Sequence, residues 1–549
     1  MSYERDNTNF RREKYASTYR LSMGAYSETM NFYEHLFGDA LVSFNKTWND
    51  FTVAATAGAS FTKEVTHGTY LNAEGDQYYE VDVTDANGIT YKMPQGNVYF
   101  PNIFHRDNYY DIYYQENYTK KRLNSVFGTL QLGYKDMVYL DLTARNDWSS
   151  ALAFTESMSF FYPSVGATFL LDEMFHMNDD LFDMVKLRAS YSVVGNDIPA
   201  YYSRPVATLS KLTITLPTVM PFTDWKPEKT FSIEAGFDLA MLHNRLRTEF
   251  TFYKANTKNQ YFQVSAPVAS GYSKRNINAG NVENLGIEAS VSYRLDFNHD
   301  WSWTPGINFS YNKNEIKELC PGLEEYNLAE ASAFIMKLKK GGSYGDIYTY
   351  DFQYDDNGNI KLDNTGAPLL TSDADTYAGN FNSKFHLGWS NTINWKNLNI
   401  YALVDGKIGG KVLSMTEAIM DGYGVSKATG DARLNGGVPN KDGSMIDAEK
   451  YYSRVGGRAQ NAGFNAMEYM YSATNFRLRE LSVGYTFENL FGMNKNLTAS
   501  VVGRNLFFLY KKSPCDPDIS GSTGNGWQGI DVFSLPATRS WGLNLKLNF

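Results

Sequence analysis

The chain closes on Trp541-Gly-Leu-Asn-Leu-Lys-Leu-Asn-Phe549, where Trp541, Leu543, Leu545, Leu547 and Phe549 alternate strictly with Gly542, Asn544, Lys546 and Asn548. Successive side chains of an extended chain point to opposite faces, so this stretch reads as a strand with one apolar and one polar face. The same period recurs upstream. Val185, Leu187, Ala189, Tyr191 and Val193 alternate with Lys186, Arg188, Ser190 and Ser192, and Phe231, Ile233, Ala235, Phe237 and Leu239 alternate with Ser232, Glu234, Gly236 and Asp238. Continued along the chain, the pattern predicts about sixteen strands of roughly ten residues. They fall at 14–24, 39–48, 51–62, 122–134, 137–146, 160–171, 185–193, 231–239, 246–252, 285–296, 301–312, 384–395, 398–405, 475–487, 497–506 and 540–549. In 475–487 the phase slips between Leu478 and Leu481, which predicts a bulge or a stretch of strand standing above the bilayer.

The connections decide the class. Asn49-Asp50, Lys135-Asp136, His243-Asn244, Asn298-His-Asp300 and Lys396-Asn397 make short turns, while 63–121, 196–227, 313–383, 406–474 and 507–539 are long and polar. A sandwich or propeller gives no reason for every second connection to be long. A transmembrane antiparallel β-barrel does, because its periplasmic turns are short and its extracellular loops long. Counting back from Phe549 puts the C-terminus on the short-turn side. The polar faces, carrying Arg188, Glu234, Asp238, Glu288 and Arg294, would line a watery interior, where charge is tolerated. A soluble all-β protein with one solvated face explains the alternation but not the asymmetry of the loops.

Composition agrees. Aromatic residues make up 15% of the chain, with 40 Tyr and 44 Gly, which suits strands, tight turns and aromatic girdles. The mean hydropathy of −0.41 excludes a bundle of membrane helices, each of which needs about 20 apolar residues in a row. The net charge of −9 is spread through the sequence, so nothing resembles a nucleic-acid footprint. Two cysteines exclude a disulfide scaffold, but Cys320 and Cys515 both fall in predicted outer loops, where a bridge or two free thiols remain open. The first residues, Met1-Ser-Tyr-Glu-Arg-Asp6, precede no apolar h-region, so no signal peptide is read and an upstream part is expected to be missing.

Several segments then resemble signature stretches of the SusC/RagA-type TonB-dependent outer-membrane receptors. They are Leu142-Thr-Ala-Arg-Asn-Asp-Trp-Ser-Ser150, Phe161-Tyr-Pro-Ser-Val-Gly166, Leu187-Arg-Ala-Ser-Tyr191 with Val194-Gly-Asn196, and Asn278-Ala-Gly-Asn-Val-Glu-Asn-Leu-Gly-Ile287. Phe476-Arg-Leu-Arg-Glu-Leu-Ser-Val-Gly-Tyr485, Gly503-Arg-Asn-Leu506, Asp516-Pro-Asp518 and Pro536-Ala-Thr-Arg-Ser-Trp541 complete the series, in the family's order. The resemblance implies a barrel of about twenty-two strands, with a plug displaced by TonB and a SusD-like surface lipoprotein as lid, importing oligosaccharides or peptides. Residues 1–549 would be the C-terminal barrel part, without plug domain or Ton box, in the outer membrane of a Gram-negative bacterium. TonB would act only through the missing N-terminal part. A plugless diffusion pore and a lid- or ligand-holding fragment remain alternatives.

The aromatic stretch from Tyr70 to Tyr118 is the candidate ligand-contacting region, with Tyr99, Phe104, Tyr109, Tyr110, Tyr113 and Tyr114 as substrate-binding residues. Aromatic faces suit sugars and peptide side chains, and an outer loop is where a ligand arrives, although the rings could instead pack within the loop. Asp351–Gly366 carries Asp355-Asp-Asn-Gly-Asn359 and Asp363-Asn-Thr-Gly366, but a calcium loop counted from Asp355 meets Ile360 where Gly is needed and Gly366 where a carboxylate is needed. Two Asx-Gly turns in a hairpin are expected instead. No zinc, nucleophile-elbow or phosphate-loop spacing occurs, so no catalytic residue, metal or cofactor is expected. For Trp541 and Phe549 the resemblance implies the barrel-assembly signal, and their apolar rings suit the membrane interface equally well.

Overall fold

The structure, a computed structural model, describes the chain except residues 1, 13–14, 17–20, 23–24, 75–79, 85–87, 89, 95–110, 204–206, 211–212, 221, 223, 267, 321, 332, 458–464, 490–494, 523–525 and 549. Sixteen long strands form one antiparallel sheet: β1 (Ser2–Arg12), β2 (Ala25–Trp48), β3 (Phe51–Glu74), β4 (Asp111–Tyr134), β5 (Val138–Ser149), β6 (Ser159–Leu170), β7 (Phe182–Asn196), β8 (Glu228–Met241), β9 (Leu246–Ser265), β10 (Lys274–Tyr293), β11 (Trp301–Glu318), β12 (Phe385–Trp395), β13 (Leu398–Ile408), β14 (Asn475–Phe487), β15 (Asn496–Lys511) and β16 (Ser540–Asn548). Each long strand is hydrogen-bonded to the next, from β1–β2 through β15–β16. Among the described residues no ladder joins β16 to β1 or β2, so the sheet does not close.

Register separates two faces. Phe169, Leu187, Phe237, Phe250, Ala289, Phe309 and Leu387 oppose one another from β6 to β12 in a continuous apolar row. On the other face Lys186, Asp238, Glu249, Ser290, Asn308, Gly388, Asp405 and Arg477 make the corresponding polar row. The apolar side chains stay uncovered, with Ile233, Ile307 and Val42 each more than half exposed. A sheet immersed in lipid needs no second apolar layer, so its hydrophobic face points outward rather than into a core. Near the short turns this face carries rings: Trp301 stacks on Trp395 at 5.6 Å between centroids, Phe51 lies 4.8 Å from Tyr134, and Tyr485 and Phe487 follow on β14. Such a band belongs at the membrane–water interface.

The first strand differs from expectation. The strand expected at 14–24 is Ser2–Arg12, which pairs with Ala25–His35, and Tyr15–Ala16 and Leu21–Ser22 pair with each other in between. β2, β3 and β4 also run further than expected, to 24 residues each. At about 3.3 Å per residue that is about 80 Å, against a hydrocarbon core of about 30 Å. Their upper halves, with Glu34, His35, Lys63, Glu64, Lys120 and Lys121 on both faces, therefore stand in water. Where both faces are wet the period-two signal vanishes, which is why β1 escaped the pattern. The outer connections 150–158 and 266–273 are short as well, because the strands flanking them pair almost to their ends.

The compact core lies in the long connections. The described residues of 319–384 and 409–474, joined by those of 512–539, fold into one outer body that completely buries Phe334, Met336, Ile347, Leu413 and Ile530. A four-stranded sheet (Glu325–Glu330, Ile335–Lys339, Asp346–Thr349, Thr376–Asn380) and three short helices, Met415–Gly422, Lys427–Leu434 and Ala448–Val455, frame it. Ser414, Ser426 and Asp447 cap the helices by accepting the backbone N–H of Glu417, Thr429 and Lys450. A smaller cluster around the buried Trp225, with Leu152, Phe160 and Ile198, seats connection 197–227 on the wall.

The face assignment predicts opposite responses at adjacent positions of β10. Ala289→Arg, on the apolar row, should destabilise by about 2–4 kcal/mol at the bilayer midplane, whereas Ser290→Arg should cost little. Urea unfolding in lipid vesicles, followed by heat-modifiable gel migration, measures the difference.

Candidate functional site

The polar face and the outer body meet in a cavity of about 650 Å³. Alternation on β10 and β11 brings Asn284, Asn312 and Asn314 to this face, and β12 and β13 add His386 and Lys407, which oppose each other across the ladder. Outer-body residues close the space: Tyr344, Tyr377, Phe381 and Asn382 on one side, Asp518 and Gln528 on another. Through His386 and Lys407 the cavity continues into a second of about 460 Å³, lined by Glu249, Glu288, Ser310 and Asp405 further down the wall.

Hydrogen bonds fix the rim. The Asn314 amide oxygen accepts the Tyr344 N–H at 2.8 Å and the Ser343 hydroxyl at 3.2 Å, while its own amide donates to Asn284 at 3.0 Å. Asp346 accepts from Ser343 N–H, Asn380 and Tyr377, and Asn382 donates to the Tyr344 carbonyl at 2.7 Å. Tyr344 and Phe381 meet edge to face with centroids 5.7 Å apart. Burial and the neighbouring Asp346 push the Tyr377 hydroxyl up to about 12, so it stays a proton donor at neutral pH. The cavity thus offers ring faces, amides and hydroxyls, the groups that recognise sugars and peptides.

A charged cluster anchors connection 512–539 to the wall. In β14 the ladder skips Arg479: Leu403 opposes Glu480 and Val404 opposes Leu478. The bulge expected between Leu478 and Leu481 is therefore present, and it turns Arg479 and Glu480 to the polar side in succession. Arg479 donates two hydrogen bonds to Asp405, at 2.7 and 2.5 Å, and one to Asn505 at 2.8 Å; Asn505 itself adopts φ 54° opposite the bulge. Arg477 is almost wholly buried, 2.7 Å from Asp516 and 4.0 Å above the Phe508 ring. Asp518 takes Lys407 at 2.7 Å and lies 3.4 Å from Arg479. Burial raises the Asp518 carboxyl, but the Lys407 hydrogen bond and the charges of Lys407, Arg477 and Arg479 outweigh it and hold the group below the usual carboxylate range.

Of the residues expected to contact substrate, Tyr99, Phe104, Tyr109 and Tyr110 lie outside the described residues. Tyr113 sits on β4 opposite Asn72, and Tyr114 is exposed on the part of β4 above the membrane, its hydroxyl donating to Glu116 at 2.6 Å. Tyr114 does not line the cavity. Arg188 bonds Asp238 at 3.2 Å and Thr251 at 2.6 Å on the polar face, as its alternation predicts. Arg294 follows the last paired residue of β10, its N–H donating to the Arg245 carbonyl, and its side chain pairs with Asp296 at 2.9 Å. Trp541 covers Gly503 on β15, where any added Cβ would lie 2.8 Å from its ring; Phe549 lies outside the described residues. No disulfide joins Cys320 to Cys515, and burial pushes the Cys515 thiol up to about 11.

The segment 351–371 is a ladder of bridges closed by Asx-Gly turns: Asp355 accepts the N–H groups of Asn357 and Asn359, and Asp363 those of Thr365 and Ala367. Their carboxylates are spent on the turns, which is the hairpin expected from sequence. The cavity residues escaped sequence reasoning because they come from four strands and three connections. The one local signal was the asparagine at inner positions of β10 and β11.

Residues 2–506 match the family model described as TonB dependent receptor-like, beta-barrel. TonB-dependent receptor P3 of Formosa agariphila is 24% identical over 92% of this chain and 52% of its own length. TonB-dependent receptor SusC of Bacteroides thetaiotaomicron is 23% identical over 78% of this chain and 44% of its own length. The chain therefore spans about half the length of the curated relatives it matches. Among solved structures, that of the RagAB peptide transporter superposes with TM-score 0.72 at 20% identity, covering 100% of this chain and 59% of that one.

The anchor gives a prediction. Asp518→Asn leaves Lys407 without its carboxylate and should loosen 512–539 by roughly 1–3 kcal/mol. A group whose carboxyl is lowered on folding stabilises above its unfolded pKa of about 4, and that contribution is lost as pH falls through the lower folded value. Limited proteolysis within 512–539 should therefore speed up for the variant at pH 7, with the wild type approaching it only well below pH 4.

Proposed function

Because the chain belongs to the TonB-dependent receptor-like β-barrel family, we propose that it forms part of the wall and the outer mouth of an outer-membrane importer of oligosaccharides or peptides. The importer works with a SusD-like surface lipoprotein. The observation that carries this reading is the rimmed cavity where the outer body meets the polar wall, continued downward through His386 and Lys407. A solute captured among Tyr344, Tyr377 and Phe381 has a polar, charge-lined surface to follow into the interior. The aromatic stretch with Tyr99, Phe104, Tyr109, Tyr110, Tyr113 and Tyr114 makes an earlier contact at the rim, and Trp541 with Phe549 guides assembly into the membrane.

The relatives' length supports further strands, up to about twenty-two, and a plug on which TonB pulls. Two similar proteins bear on the cargo: RagAB is a peptide transporter, and one relative is the receptor SusC. A plugless pore closed by these sixteen strands alone has against it the unpaired edges of β16 and lower β2, since lipid cannot satisfy exposed backbone groups.

Uptake tests the reading in cells carrying the whole protein. Tyr377→Ala with Phe381→Ala should weaken capture of labelled oligosaccharide or peptide roughly tenfold while leaving surface expression intact. Unchanged uptake in the double variant, or uptake that persists without TonB, would contradict it.

A further inference from the structure

Resting on the importer reading above, we propose that Lys407 and Arg479 form a carboxylate-binding site at the neck between the two cavities, where the Asp518 side chain holds the place of an acidic group of the cargo. His386 and Lys407 line both cavities, so a solute going from the upper to the lower one passes them. The wall supplies three cations here, Lys407, Arg477 and Arg479, and only Asp405 to answer them, because Glu480 is taken by Arg504 at 3.0 Å. The other two carboxylates, Asp516 and Asp518, come from connection 512–539. Lys384 lines the upper cavity with no side-chain partner among the described residues and adds positive charge on the approach. Glu249 and Glu288 line the lower cavity, so the positive ground ends at the neck and an anion is held there.

The two carboxylates of the connection differ in reach. Asp516 lies 2.7 Å from Arg477, and their side chains are only 9% and 3% exposed. Asp518 lies 2.7 Å from Lys407 with side chains 23% and 35% exposed, and both line the cavity. Separating a buried pair leaves an uncompensated charge, so Asp516 stays in place. At Asp518 an incoming carboxylate restores the pairing that it displaces, and the exchange is close to even. Unspent hydrogen-bonding groups supply the second observation. Arg477 is almost wholly buried, yet its Nε has no partner, and neither has the buried Oδ1 of Asp405, which opposes it across the ladder. Buried polar groups are nearly always satisfied, so a spare donor facing a spare acceptor marks an arrangement that is not the only one open to the cluster. Arg477 also lies 3.6 Å from Asp518, and when Asp518 leaves it has Asp405 to turn to.

The test titrates the full-length protein in mild detergent, by calorimetry, with galacturonate oligomers and their methyl esters, and with glutamate oligopeptides and their glutamine counterparts. An acid that binds while its neutral counterpart does not supports the site and tells which source, sugar or peptide, supplies the carboxylate. Asp518→Asn removes the internal competitor and should tighten binding of that acid roughly tenfold, while Lys407→Gln should weaken it by as much. Bound acid should also speed proteolysis within 512–539 of the wild type toward the rate of Asp518→Asn. Acids and neutral counterparts bound alike, no acid bound by either wild type or Asp518→Asn, or an affinity that fails to rise in Asp518→Asn would each overturn the proposal. Folding is scored separately by heat-modifiable migration, and Asp518→Asn carries the test should Lys407→Gln fail to fold. Uptake of neutral cargo through Tyr377 and Phe381 is read independently, so a failure here leaves the importer reading standing.

Discussion

The backbone hydrogen bond in hydrocarbon governs this molecule. Water is absent from the bilayer core, so each strand must pair its N–H and C=O groups with neighbouring strands, and the result is a sheet of successive antiparallel ladders from β1 to β16. That requirement inverts the usual arrangement of a globular protein. The apolar faces of the strands look outward, as Val42, Ile233 and Ile307 do, and the close-packed core is displaced into the outer connections around Phe334, Ile347 and Leu413. The same requirement bears on the edges. β16, exposed along its whole length, and Leu36–Trp48 of β2 must be paired before the sheet can sit stably in a membrane.

The polar face follows the complementary rule. Within the membrane charges are tolerated only toward the interior, and there they are paired: Lys186 and Arg188 with Asp238, and Arg479 with Asp405. The bulge at Arg479 shows how a single extra residue serves this arrangement. By setting Arg479 and Glu480 on the same side it supplies two charges where alternation allows one, and Asp405, Asn505 and Arg504 receive them. Connection 512–539 reaches the same cluster through Asp516 and Asp518, so the outer body is tied to the wall by charge as well as by its own core. The ligand cavity exists because that docking holds Tyr344 and Phe381 opposite Asn284 and His386.

Within the membrane the sequence was readable almost residue by residue. From β5 to β16 the expected strands overlap the observed ones, and the phase slip at Leu478–Leu481 is the bulge itself. Period two is enforced there because one face meets lipid and the other water. Above the membrane that enforcement ends. Ser2–Arg12 and the upper reaches of β2 to β4 are strands with both faces wet, so nothing in their hydropathy marked them. The outer body was equally hidden. Its helices and four-stranded sheet are held by contacts between segments such as Leu413 and Ile530, far apart in sequence, and its cavity residues share no local motif. The turns at Asp355 and Asp363 were legible because Asx-Gly chemistry is local.

The central claim is that alternate residues of each strand face lipid and water, and site-directed spin labelling tests it most directly. Single cysteines would be placed at positions 231–239 of β8 in the whole protein, with Cys320 and Cys515 replaced by serine, and labelled in outer-membrane vesicles. The account predicts that accessibility to oxygen peaks at Phe231, Ile233, Ala235, Phe237 and Leu239, and accessibility to a water-soluble nickel chelate at Ser232, Glu234, Gly236 and Asp238. Nickel accessibility equal at both sets of positions would mean that both faces are wet, and the sheet would then not be a membrane wall.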